Sequence, residues 1–101
     1  MNQFFESLGR LWKGAAERHG VKIEEPELDP KVADELLQLA AVVSHTKERR
    51  FAPLATYTAG LAVGRLRDAK ELGADAVAEY IREVREALER ETPPRSEGPG
   101  G

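Results

Sequence analysis

Fourteen consecutive residues, Phe51 to Gly64, carry no charged side chain. They follow a second apolar stretch, Leu36 to Val43, across a short polar knot, Ser44-His45-Thr46-Lys47-Glu48-Arg49-Arg50. A helix that is apolar on most of its sides must be covered on most of its sides. Two such segments so close together are therefore expected to pack as a central hairpin. The longer one falls well short of the roughly 20 apolar residues that a membrane-spanning helix needs, so the covering medium is protein and not lipid.

The rest of the chain supplies material for that cover. Phe4, Leu8, Leu11, Trp12, Ala15 and His19 recur at three- and four-residue spacing and predict an amphipathic helix over about Asn2 to His19. Gly20 is placed to stop it. Residues 21–28 read as a linker containing Pro26 and several glutamates. Asp29-Pro30 then gives an N-cap followed by a proline suited to the first helical position. Asp34 and Glu35 are expected to complement the positive end of that second helix. The third helix is expected from about Ala52-Pro53 to the Leu72-Gly73 pair. Its Thr56, Gly60 and Gly64 lie four apart, and small residues at that spacing predict a close crossing with another helix, since glycine inside a helix otherwise costs about 0.5–1 kcal/mol. The fourth helix covers about Asp75 to Glu91. Its apolar face is Val77, Tyr80, Ile81, Val84 and Leu88, and its outer face carries the four-apart charge pairs Arg82–Glu86, Arg85–Glu89 and Glu86–Arg90. No segment reads as a strand with a partner. The expected fold is all-α: a four-helix bundle-like domain over 1–91 with a buried central hairpin, followed by a disordered tail, 92–101, rich in Pro, Gly and Ser.

Composition narrows the function classes. At 101 residues, with 41% hydrophobic and 33% charged side chains, the chain suffices for one soluble domain with its own core. The net charge of −3 is evenly mixed along the sequence, which argues against a nucleic-acid binder with its usual basic footprint. There is no cysteine, so no disulfide or thiolate chemistry is open to it. No secretory signal core is visible, because Glu6 and Arg10 break the apolar cluster at Phe4-Phe5. A cytoplasmic location is the expectation. Single occurrences of Met and Asn, with 10 arginines to 5 lysines, fit a thermophile or a GC-rich genome.

The knot holds the densest chemistry, and it completes no catalytic or metal-binding motif. Lys47, Arg49 and Arg50 sit where the negative end of the second helix is expected, and cations there stabilise the dipole and bond the last carbonyls. The competing reading is an anion site. In it His45, Arg49 and Arg50, with Tyr57 nearby, grip a phosphate or carboxylate at the start of the third helix. Ser44 and His45 are adjacent and so cannot pair on one helix face. His45 has only Glu48 at helical spacing, too few ligands for a metal. Thr46, Thr56 and Thr58 are expected to bond their own helices. Trp12 and Tyr57 are expected in the core with their polar tips satisfied. An exposed Trp12 would instead mark, with Phe4 and Phe5, a surface for a protein partner or a second copy.

The residues Leu37, Leu39-Ala40, Ser44-His45, Glu48-Arg49, Ala52-Pro53-Leu54, Tyr57, Gly60-Leu61-Ala62 and Gly64 resemble a family of small bacterial helical domains of unknown function. In actinobacteria these occur alone or attached to molybdenum cofactor guanylyltransferase. The resemblance covers about a third of the chain and implies an accessory domain near molybdenum cofactor metabolism. The Gly-rich nucleotide loop and acidic metal ligands of the guanylyltransferase itself are absent here. The expected function is thus a non-enzymatic accessory or interaction domain with no cofactor and no catalytic residues; the alternative is a binder of an anionic small molecule at the knot.

Overall fold

The computed structural model describes residues 2–91, and the expected tail lies outside the described residues. The protein is all-α. Its helices are α1 (Gln3–Arg18), α2 (Pro30–Thr46), α3 (Phe51–Ala69) and α4 (Ala74–Glu91), with no strand among the described residues. Internal contacts divide the chain into two compact units, the first reaching Pro30 and the second starting at Lys31.

In the first unit, the Asn2 side chain accepts a hydrogen bond from the Phe5 amide at 3.1 Å and caps α1. At the other end Gly20 takes φ +82°, the left-handed value that ends helices cheaply in glycine. The Val21 amide donates to the Ala16 carbonyl and the Gly20 amide to Glu17, both at 2.9 Å. This doubly bonded glycine turn satisfies carbonyls that the helix end would leave open. The chain then returns along α1. Gly9 is buried beneath it, and a Cβ there would stand 2.6 Å from the Pro26 carbonyl oxygen. Glycine is what allows the linker to run so close.

In the second unit, α2 begins at Pro30, as its Asp-Pro pair predicts. Leu39 and Val43 of α2 meet Val77 and Ile81 of α4 in the buried core. Ala55, Ala59 and Val63 of α3 pack against this cluster from the side. The contacts are bundle-like, with α2 touching both α3 and α4. Burying Ile81 alone contributes about 1.5–3 kcal/mol.

Four local expectations are corrected. Asp34 and Glu35 lie beyond the first turn of α2, which holds no acidic residue. Asp34 instead accepts from Gln38, and Glu35 reaches across to Arg85 at 3.4 Å. Arg82 turns back to Glu79 rather than forward to Glu86, and this short hydrogen bond together with the carboxylate charge raises the guanidinium pKa further. The helix α3 stops at Ala69, where Lys70 is extended, three residues before Leu72. Finally, Gly60 and Gly64 make no close crossing: a Cβ on either would meet nothing within 4 Å. The neighbours of α3 lie on its Ala55–Ala59–Val63 side, so the glycines face open space.

Candidate functional site

The knot forms the junction between α2 and α3. Lys47 continues the helical pattern with a bond from its amide to the Val43 carbonyl, 2.9 Å. The first amides of α3, those of Phe51 and Ala52, donate to the carbonyls of Glu48 and Arg49 at 3.0 and 3.1 Å. Pro53 has no amide hydrogen. The donors that make a helix start attractive to anions are therefore engaged within the turn or missing.

The four side chains of the anion reading are all exposed: His45 in the last turn of α2, Arg49 and Arg50 in the turn, Tyr57 on α3. No hydrogen bond or ion pair joins them. Arg50 donates to Glu48 at 2.8 Å, and its guanidinium lies 5.8 Å from the centre of the Phe51 ring, within cation–π range. Thr46, Thr56 and Thr58 bond the carbonyls of Val42, Pro53 and Ala55 in their own helices, as expected.

Aromatic side chains expected in the core are found outside it. Trp12 is 57% exposed and Tyr57 67%. Phe4 is exposed too, its ring edge-on to that of Phe5 at 5.0 Å, and Leu11 joins them on α1. The first unit also holds an open cleft of about 610 Å³, lined by Phe5, Glu6, Arg10 and the linker carboxylates Glu25, Glu27 and Asp29. Among the described residues no cluster of three or more His, Asp or Glu side chains could hold a metal ion. No helix there is long and apolar enough to cross a membrane.

The second unit exposes a longer apolar surface. Leu54, Tyr57 and Leu61 stand out along α3, with Leu37 on α2. Beside them a small groove of about 160 Å³ runs between α3 and α4, walled by Ala55, Ala59, Ala62, Tyr80, Val84 and Leu88. An uncharged helix gives no local sign of which side faces out, so the sequence does not mark Leu54 and Leu61 as surface residues.

Geometry of this kind defines a small all-α protein with large apolar side chains exposed on α1 and α3. The family model described as Domain of unknown function (DUF6457) matches residues 6–96, and the chain belongs to that family. No curated protein and no solved structure matches it.

Proposed function

We propose that this protein is a non-enzymatic interaction domain whose working surface is the apolar outer face of α3. The observation that carries this reading is the exposure of Leu54, Tyr57 and Leu61 on a helix with no charge from Phe51 to Gly64. A contiguous apolar face on a folded domain is costly to leave in water and marks a place where another molecule binds. Leucine and tyrosine in that setting supply contact area at low entropic cost. The exposed Phe4, Phe5 and Trp12 of α1 are a second candidate surface of the same kind.

The resemblance of the central segment to domains found with molybdenum cofactor guanylyltransferase supports an accessory role beside that enzyme in the cytoplasm. Binding of a phosphate-bearing ligand at His45, Arg49 and Arg50 has less support, because the helix-start amides of Phe51 and Ala52 are engaged within the turn.

A photo-crosslinking amino acid placed at Tyr57, and separately at Trp12, tests the reading in the source cell. Covalent protein adducts at Tyr57 are expected. An absence of protein adducts at both positions, with a thermal shift on adding nucleotide, pterin or inorganic phosphate, would overturn it in favour of a small-molecule binder.

A further inference from the structure

The outer face of α3 carries a register. Arg50, Leu54, Tyr57, Leu61, Gly64 and Asp68 follow one another at intervals of four, three, four, three and four residues. That alternation is the spacing of a coiled-coil seam, where two helices lie against each other along one stripe. Arg50 belongs to the stripe because its backbone is helical, φ −70° and ψ −12°. All six residues are exposed. The stripe is separate from Ala55, Ala59 and Val63, through which α3 holds its own core.

We infer that the α3 stripe is a homodimer interface in which two copies pack antiparallel about a two-fold axis at the level of Ala59. This rests on the interaction-domain reading above and names its partner: a second copy of this chain. A two-fold interface must be complementary to itself, and this one is. In the antiparallel register Arg50 meets Asp68, Leu54 meets Gly64, and Tyr57 meets Leu61. Each apolar layer pairs a larger side chain with a smaller one, and each end of the seam brings a cation to an anion. In the parallel register Arg50 would oppose Arg50 and Asp68 would oppose Asp68, so the end charges select the antiparallel one. Arg50 is available for this, since its pair with Glu48 is open to solvent on both sides, 80% and 52% exposed. Gly64 accepts the Leu54 side chain because nothing in its own chain lies within 4 Å of where a Cβ would stand.

Area sets the strength. Leu54, Tyr57 and Leu61 are 61, 67 and 42% exposed. Taking about 200 Å² for each large side chain when fully exposed, they offer on the order of 340 Å² per copy. Two copies bury about 700 Å² before backbone and flanking polar groups are added, which makes the contact one of the weak, transient class. The dimer is therefore a reversible one that fills only at high concentration.

Sedimentation equilibrium of the full chain tests this. The mass should rise from 11.1 kDa toward twice that value as concentration climbs from about 1 µM to about 1 mM. Gly64→Leu fills the space that the partner's Leu54 needs, and its Cβ has no packing neighbour within 4 Å. It should weaken association at least about tenfold, keep the helical circular dichroism and leave the dilute thermal midpoint no lower than that of the native chain. Register is read by cysteine, which the chain lacks. Leu54→Cys and Gly64→Cys stand about 15 Å apart along one helix, too far for a bond within a chain. Oxidation should link the two single variants when they are mixed and leave each alone unlinked. Self-linking of either would overturn the antiparallel register. A constant 11.1 kDa at all concentrations would overturn the dimer. If the purified chain stays monomeric while the Tyr57 crosslinker still captures another protein, the dimer fails and the interaction domain stands; with no adduct of any kind, both fail.

Discussion

The helices α3 and α4 are nearly equal in length, 19 and 18 residues, and both pack against α2, yet they meet water in opposite ways. The helix α4 buries Val77, Ala78 and Ile81 and turns a charged face outward. The helix α3 buries no residue fully, and its uncharged stretch faces outward as well as inward. An amphipathic helix such as α4 states its orientation in its own sequence, because charge and apolar surface alternate with the helical period. The orientation of α3 is decided entirely by its neighbours. The difference separates two roles in the fold: α4 fills the core, and α3 leaves an apolar face exposed.

The sharpest way to break this contrast is to truncate one side chain on each helix. Ile81→Ala empties a core position and should cost about 2–5 kcal/mol in urea unfolding. Leu61→Ala on α3 should stay within about 0.5 kcal/mol in dilute solution. Equal losses would mean that the two helices share the structural work, and the reading of α3 as a free face would fall.

Glycines divide in the same manner, with a smaller effect. Gly9→Ala drives a methyl group into the Pro26 carbonyl, 2.6 Å from the new Cβ. Overpacking of this kind costs about 1–3 kcal/mol, and here it should appear as faster proteolytic cleavage in residues 21–28. Gly60→Ala meets nothing and removes the entropic penalty of glycine, so it should stabilise by about 0.5–1 kcal/mol. A destabilised Gly60→Ala would show that something does cover that face in the dilute chain.

What could be read from the sequence was whatever its own neighbourhood dictated. The stop at Gly20, the start at Asp29-Pro30 and the Val77–Ile81 face of α4 each follow from a few adjacent residues, and the structure has them there. Gly9 carries a local sign of its own, since a glycine inside a helical pattern implies a packing reason. The seam from Arg50 to Asp68 was also present as spacing. It was hidden because α3 is apolar on its inner side as well, so no contrast marked the stripe. The candidate residues of the knot were legible as basic helix-end residues. Their surroundings were not, since only three-dimensional contacts show that Phe51 and Ala52 donate within the turn and that Arg50 turns to Glu48. The pairing of Glu35 with Arg85, fifty positions apart, had no local trace at all.

That pair gives the finest test of the contrast, because α4 also carries charges that do little. Glu35 and Arg85 are each 12% exposed, and Arg85 is held further by Glu89 at 3.3 Å. Lys31 and Asp75 also bridge α2 and α4, at a shorter 2.7 Å, but their side chains are 69% and 81% exposed. Distance alone would rank the second pair as stronger. Solvent reverses the order: an exposed pair is screened and contributes about 0–1 kcal/mol, while removing Glu35 leaves the covered Arg85 with only the more exposed Glu89 to offset its desolvation. Glu35→Ala should therefore cost about 1–2 kcal/mol, discounted from a fully buried pair because some water still reaches it. Asp75→Ala should cost less than about 0.5 kcal/mol. Raising the salt concentration should shrink the second difference and leave most of the first. If the two substitutions cost the same, the α2–α4 seam is sealed by its apolar core alone, and the Glu35–Arg85–Glu89 array is only surface charge that happens to lie across it.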